Sequence, residues 1–306
     1  MTTMAASVDE FTFLHEEADE VGVAGPLPQV RRVEHRRGPA PLSTLSGLSW
    51  GDAPARVVLV HGAALNAHTW DATVLAWGVP ALALDLPGHG ESAWRADGDY
   101  TPTASAPVLA EALDDWTQQG LVDRSPVLVG QSLGGLTAAV LAATHPGCVR
   151  RLVLVDILPL PADTAREVAA FLAGPAQFDS RAQIVERALA FGLGGGRGRV
   201  ERAVHLNTRV RDDGSVVWKH HLGTLDPTTA LREDAEELWS VIEGLEIPID
   251  LIWGSAGLLT ETAVAELARR RPGSRTVRVE SGHNVQEDAP VELARVLADL
   301  IGDEVS

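Results

Sequence analysis

The most informative segment of this sequence is PVLVGQSLGGLTAAVLAATH, residues 126–145. It opens with a short apolar run, typical of a strand buried on both faces of a parallel sheet, and its second half has the composition of a helix. Gly130 and Gly134 remove side chains that would collide in a sharp strand-to-helix turn. Such a turn holds Ser132 in a strained conformation beside the positive end of the helix. We therefore interpret Ser132 as a nucleophile rather than as an ordinary serine in a glycine-rich turn.

Outside this segment, apolar runs alternate with amphipathic stretches along most of the chain. The sequence predicts further buried strands at residues 56–62, 79–85, 150–156, 249–254 and 275–280. A pair of antiparallel strands, in QVRRVEHRR and LSTLSGLSWG, precedes them. Alternating strands and helices imply right-handed crossovers and one open sheet. The predicted fold class is therefore α/β, with a mostly parallel sheet flanked by helices.

The regular alternation fails between residues 158 and 236, which hold prolines, amphipathic pieces and a glycine-rich run. We predict a mostly helical cap there, inserted over the carboxyl edge of the sheet, so that residues 28–157 and 237–306 form the core. Residues 1–27 form an acidic tail without lysine or arginine, which ends at a Gly-Pro-Leu-Pro linker. We interpret this tail as a frayed terminus. The alternative is that it docks through its apolar side chains, Phe11, Phe13 and Leu14.

The composition limits the classes of partner. The 306 residues carry a formal net charge of −17, which argues against nucleic acid and anionic membranes. No apolar run reaches the roughly 20 residues of a membrane-spanning helix, and no basic segment followed by an apolar run marks a signal peptide. Cys148 is the only cysteine, so an intrachain disulfide is excluded and a cytoplasmic location is expected. We expect a small-molecule substrate, and the oligomeric state stays open, a homodimer included.

The sequence predicts neither a metal site nor a cofactor site. It contains no cluster of metal-ligating residues and no dinucleotide-binding fingerprint. The glycine-rich run at residues 192–198 has no preceding strand and no Gly-Lys-Ser/Thr ending, so it is not a phosphate loop.

Four motifs occur in an order that points to one family. His61-Gly62 follows the third predicted strand, DLPGHGES at residues 85–92 the fourth, the Ser132 turn the fifth, and Gly282-His283-Asn284 the last. Through these motifs the chain resembles the α/β-hydrolase fold family from about residue 30 to residue 303. The resemblance implies a hydrolase with a catalytic triad, in which a base and an acid activate the serine.

His283 is the candidate general base. It lies in a loop after the last strand, near the carboxyl edge of the sheet, and the family uses this loop for its histidine. A serine hydroxyl is a poor nucleophile until a base removes its proton, so activity should rise with pH as the imidazole becomes neutral. The resemblance also implies an oxyanion hole formed by the backbone N–H groups of Leu133 and Ala63.

The acid of the triad departs from the commonest family pattern. That acid usually follows strand seven in a W-G-x-x-D stretch, but here the stretch reads WGSAGL, with Gly257 in place of the aspartate. Our candidate is Asp156, at the end of predicted strand six, where one subgroup of haloalkane dehalogenases and the zearalenone-type lactonases carry their acid. It would orient His283 and stabilise the imidazolium. The alternatives are Glu261, a catalytic dyad or a chain with little activity, and an Asp156 that only caps the first turn of the cap.

A serine at position 132 favours acyl transfer to water, because dehalogenases and epoxide hydrolases of this family use an aspartate. We predict hydrolysis of an ester or lactone of a medium-sized apolar substrate through an acyl-enzyme. The alternatives are a carbon–carbon bond hydrolase or a perhydrolase with the same triad, and a ligand-binding protein with little turnover. The predicted substrate-lining residues are Ala64, Leu65, Phe171, Phe178, Phe191, Trp218, Leu222 and Leu258. The cap aromatics among them would look the same if they formed the core of a small subdomain.

Overall fold

The structure is a computed structural model that describes residues 9–36, 44–190, 196–232 and 234–305. Its strands are β1 Val30–Arg36, β2 Thr44–Trp50, β3 Ala55–Val60, β4 Ala81–Asp85, β5 Val122–Gln131, β6 Arg151–Val155, β7 Gln177–Phe178, β8 Thr208–Val210, β9 Val216–Trp218, β10 Ile249–Gly254 and β11 Thr276–Val279. Its α-helices are α1 Leu14–Glu20, α2 Asp71–Trp77, α3 Pro102–Gln118, α4 Leu133–Thr144, α5 Ala162–Leu172, α6 Arg181–Ala190, α7 Arg197–Asn207, α8 Pro227–Ala230, α9 Ala235–Gly244, α10 Glu261–Arg270, α11 Val285–Asp288 and α12 Pro290–Val305.

The central sheet has eight strands in the order β1-β2-β4-β3-β5-β6-β10-β11. β2 pairs antiparallel with both β1 and β4, and the strands from β4 to β11 pair parallel. The central strands are apolar on both faces because both faces are covered; Val57 and Val58, on opposite faces of β3, are both 0% exposed. The α/β fold class predicted from the sequence is confirmed.

Helices cover the sheet in two layers. α3, α4, α9 and α10 pack on one face, and α1, α2 and α12 pack on the other. α4 runs from the carboxyl end of β5 back over the sheet, and its Ala138 and Leu141 are fully buried. No described helix is both long enough and apolar enough to cross a bilayer.

The predicted cap lies between β6 and α9 and contains strands as well as helices. α5, α6 and α7 are joined there by a small antiparallel sheet in the order β7-β9-β8. These strands are two or three residues long, too short to show the alternation by which strands are predicted. The cap has a core of its own, formed by Phe178, Ile184, Val185, Val200, Val204 and Val216.

The N-terminal segment is docked, so our interpretation of it as a frayed tail is wrong for the described residues from Asp9 onward. Leu14 and Ala18 of α1 are buried against the face of the sheet that carries α2. The acidic residues of α1 bind the cap, because the buried Arg202 of α7 forms ion pairs with Glu16 and Glu20 and lies 3.1 Å from the side chain of Glu17. The helix therefore ties the cap to the core. Residues 1–8 of the predicted tail lie outside the described part of the chain.

Candidate active site

The turn between β5 and α4 places Ser132 at the carboxyl edge of the sheet. Its backbone is strained, with φ 51° and ψ −125°. A Cβ atom on Gly130 would lie 2.5 Å from the Cα of Gly135, and one on Gly134 would lie 2.3 Å from the carbonyl oxygen of Val60. Only glycine fits at both positions, which is why the serine can stand so close to the neighbouring strand.

His283 and Asp156 meet beside this turn. His283 follows β11, and its Nδ1 lies 2.7 Å from Oδ2 of Asp156, the residue directly after β6. The Asp156 carboxylate is completely buried and also accepts the N–H groups of Gly254, at 2.9 Å, and Leu258, at 2.7 Å. Three donors therefore fix the carboxylate. The imidazole that faces it carries its proton on Nδ1 and leaves the Nε2 lone pair for proton transfer.

The alternative acid, Glu261, lies elsewhere. It is exposed in the first turn of α10, which is capped by the Thr260 side chain. Asp156 is thus the carboxylate that contacts His283, while Glu261 faces solvent.

Two backbone segments meet at the serine. Leu133 begins α4, so no helix carbonyl accepts its N–H. Gly62 packs so tightly against the turn that an added Cβ would lie 2.9 Å from the Ser132 Cβ. The side chain of His61 fixes this loop, since its Nδ1 donates to the Gly62 carbonyl at 2.7 Å and its Nε2 accepts the Leu86 N–H at 3.0 Å. The loop holds Ala63 at the cavity that contains Ser132.

The loops that follow β3, β5 and β6 contain residues with left-handed backbone conformations. Among the described residues, the non-glycine positions with positive φ are Ala64 at 65°, Ser132 at 51° and Asp156 at 48°. All three lie just after the carboxyl ends of the adjacent strands β3, β5 and β6. Backbone strain is therefore concentrated where the candidate site is assembled.

Gln131 is a site residue that the sequence reasoning missed. Its Nε2 lies 3.1 Å from Nε2 of His283, 3.3 Å from the His283 carbonyl oxygen and 3.4 Å from Oδ1 of Asn284. The side chain is buried, with 1% of the residue exposed. The hydroxyl of Ser132 makes no hydrogen bond with any residue that the structure describes. The signal that could have pointed to Gln131 is its place directly before the nucleophile, at the end of β5.

Ser132 lies at a cavity of about 440 Å³ between the core and the cap. Its walls are mainly small aliphatic side chains and prolines, with Thr228, Arg232 and Asp234 as the polar exceptions. The apolar lining residues are Ala63, Pro102, Leu133, Leu136, Ile157, Leu160, Ala165, Leu172, Pro227, Leu231, Ala235, Leu238 and Leu258. A cavity of this size and character suits a small to medium apolar ligand.

Of the predicted lining residues, Leu258 lies at this cavity, and Ala64 and Leu65 are outside its walls. The predicted roles of the cap aromatics need correction. Phe178 and Trp218 pack edge to face within the cap, with ring centroids 5.4 Å apart, and Leu222 is buried against Tyr100 and Ala230. Phe178 and Trp218 are thus used to build the core of the cap, and Leu222 packs where the cap meets Tyr100 of the main domain. Phe191 and the side chain of Phe171 lie outside the described part of the structure.

Comparison with known proteins agrees with this architecture. A sequence model of the alpha/beta hydrolase family matches residues 57–296. The esterase Rv0045c of Mycobacterium tuberculosis is 37% identical to the chain, with 96% of each sequence covered. A crystal structure of that esterase has a TM-score of 0.84 and covers 98% of this chain and 100% of its own. A pimeloyl-[acyl-carrier protein] methyl ester esterase of Neisseria meningitidis is 29% identical over 252 residues, 76% of this chain and 72% of the relative.

Proposed function

The chain belongs to the alpha/beta hydrolase family, and from that premise we propose that it is a serine esterase whose triad is Ser132, His283 and Asp156. The observation that carries the proposal is the 2.7 Å contact between His283 Nδ1 and Asp156 Oδ2, made beside a strained serine at an apolar cavity. The full-length relative from M. tuberculosis, itself named an esterase, supports the same reaction class.

In the proposed reaction, the Ser132 hydroxyl attacks the ester carbonyl while Nε2 of His283 takes its proton. Asp156 holds the imidazole by its Nδ1–H and stabilises the imidazolium that forms. The N–H groups of Leu133 and Ala63 would bind the oxyanion, a contribution that typically amounts to roughly 10²–10³ in rate for one donor. His283 then protonates the leaving alcohol, and a water molecule activated by the same imidazole hydrolyses the acyl-enzyme.

The substrate we propose is an uncharged, medium-sized ester or lactone. The cavity beside Ser132 offers aliphatic walls over most of its surface, which favours an apolar acyl chain. A lactone fits the same chemistry, because ring opening and ester cleavage both pass through an acyl-enzyme.

A fluorophosphonate probe and a series of p-nitrophenyl esters test the proposal. We expect the probe to label the wild-type protein at Ser132, and Ser132→Ala to lose both labelling and hydrolysis while it keeps the wild-type melting temperature. If the wild-type protein is neither labelled nor active on any ester of the series, it is not an esterase. The engagement of His283 Nε2 by Gln131 would then favour the second candidate, a ligand-binding protein of the same fold.

A further inference from the structure

Both ring nitrogens of His283 have partners. Nδ1 faces the Asp156 carboxylate at 2.7 Å, so this nitrogen carries the proton. Nε2, which must take the proton of Ser132 in the proposed reaction, faces the side-chain nitrogen of Gln131 at 3.1 Å. The acceptor position of the base is therefore filled by a residue of the nucleophile turn other than the nucleophile.

The surroundings of Gln131 decide which end of its amide faces the histidine. The same end also faces the His283 carbonyl oxygen and Oδ1 of Asn284, at 3.3 and 3.4 Å. Both atoms are acceptors, so this end is the NH₂ group, and it donates to the Nε2 lone pair. The amide oxygen faces Gly62, where an added Cβ would lie 2.1 Å away.

We propose that Gln131 is a positioning residue for the base. In the free enzyme its N–H holds the neutral imidazole by Nε2, and the Ser132 hydroxyl takes that place when a substrate is bound. The inference rests on the proposed function of Ser132 and His283. Gln131 undergoes no covalent change: the proton passes from Ser132 Oγ to His283 Nε2, and the oxygen bonds to the substrate carbonyl carbon.

The exchange has a consequence for acylation. Once protonated, Nε2 is a donor, and a donor cannot accept the amide N–H. The contact with Gln131 thus stabilises the neutral imidazole and disfavours the imidazolium. Removal of the Gln131 contact should move the ascending limb of the profile of labelling rate against pH to higher pH. It should also leave the Ser132 hydroxyl without a competitor for Nε2.

The test compares wild type with Gln131→Met, which keeps the chain length and lacks the donor, and with Gln118→Met, a matched control on the exposed surface of α3. The rate of fluorophosphonate labelling is measured from pH 5 to 9. For Gln131→Met we expect the limb to move up by about half to one pH unit. The control should follow wild type.

The variants share all other charged groups around the histidine loop, so a shift is due to position 131. These groups are Asp156, which contacts His283; Asp288, which accepts the Gly282 N–H; Glu287, which binds Asn284; and Arg199 of the cap, which binds the Glu287 carbonyl. An unmoved limb in Gln131→Met, or one at lower pH, overturns the inference even if the rate falls.

A second measurement covers two other outcomes. If Gln131→Met melts early, Gln131→Glu replaces it, and its acceptor oxygen should move the limb further upward; an unmoved limb there also overturns the inference. If wild type is not labelled, the proposed function fails, and ¹⁵N NMR of His283, assigned with His283→Gln, decides the contact by itself. The inferred contact requires the Nε2 resonance to change in Gln131→Met, and an unchanged resonance would refute it.

Discussion

The Asp156 carboxylate occupies the space directly beside Gly257: a Cβ atom on Gly257 would lie 2.4 Å from Oδ2 of Asp156. Gly257 is the position at which the commonest family pattern has its aspartate. The position of the Asp156 carboxylate and the glycine at position 257 have the same cause, because the pocket behind His283 has room for one carboxylate. When the carboxylate belongs to the residue at the end of β6, the residue at position 257, after β10, has no room for a side chain.

Asp156→Asn tests the assignment of the acid. The amide would bind the imidazole in the wrong tautomer, as in a comparable triad where this change lowers kcat about 10⁴-fold. We expect a loss of that order in ester hydrolysis, measured at the pH plateau and at a temperature where the variant is fully folded. Glu261→Gln is the control and should retain activity; a silent Asp156→Asn together with an inactive Glu261→Gln would reverse the assignment.

Gly257→Ala tests the packing directly. The added methyl group overlaps the Asp156 carboxylate and must displace it. Since a shift of about 1 Å at a catalytic group can cost 10²-fold, we expect kcat to fall by about that factor with KM much less affected. Gly244→Ala adds a methyl group that meets no atom within 4 Å and should leave kcat unchanged. Equal kcat values for the two variants would show that a side chain at position 257 does not displace the Asp156 carboxylate.

A cluster of charged residues lies under the N-terminal helix and consists of Glu10, Glu17, His68 and Asp71. We predict that this cluster makes the protein less stable at alkaline pH. Burial opposes the charge of His68, but Asp71 and Glu10 outweigh it and raise the pKa of His68 to about 9. Burial raises the pKa of Glu17 to about 8. For both groups the folded state binds the proton more tightly than the unfolded chain. The stabilisation from His68 is therefore complete below its ordinary pKa of 6.5 and is lost as pH rises through about 9. The stabilisation from Glu17 is complete below 4.5 and is lost as pH rises through about 8.

We accordingly expect the melting temperature to fall between pH 7 and 9.5. Glu17→Gln should make the fall shallower, because a neutral amide has no proton to lose, whereas the surface variant Glu237→Gln should follow wild type. Differential scanning calorimetry in matched buffers measures both. A melting temperature that is constant or rises over this range would show that the cluster does not control stability.

Arg202 should be the main link between the N-terminal helix and the cap. Its side chain is 8% exposed, forms ion pairs with Glu16 and Glu20, and contacts Glu17. We expect Arg202→Met to lower the free energy of unfolding by about 2 kcal/mol and to speed proteolysis within the cap. Arg197→Gln, on the exposed side of the same helix, should leave the free energy of unfolding almost unchanged, because water screens its ion pair with Glu186. Equal effects of the two variants would mean that α1 contributes little to holding the cap.

Ala165→Trp tests the cavity as the acyl site. Ala165 lines the cavity from the cap, so an indole there would fill space without a change in the core. We expect kcat/KM for p-nitrophenyl octanoate to fall at least about tenfold relative to p-nitrophenyl acetate, because only the longer chain needs that space. A parallel loss for both esters would place the acyl chain elsewhere.

Much of the fold was predictable because it follows from local patterns. The turn around Ser132 needs glycines at fixed offsets, and buried parallel strands need continuous apolar runs, so both are visible in the sequence. The docking of α1 was only an alternative in the sequence, because its apolar face is small and its ion-pair partner, Arg202, lies far along the chain. The cavity walls were misjudged because large aromatics such as Phe178 and Trp218 serve the cap core equally well. The Gln131 contact depends on a side-chain rotamer, which no spacing reveals.

The positive φ angles at Ala64, Ser132 and Asp156 have a consequence for laboratory evolution. An L-residue in such a conformation carries a cost that glycine does not, so a glycine at Ala64 or Ser132 would relieve the chain locally, whereas at Asp156 it would leave three donors without their acceptor. A library of variants selected only for heat resistance would accumulate such replacements. Its melting temperatures would rise while its catalytic activity was lost. Selection for heat resistance in this protein therefore has to score turnover in the same round.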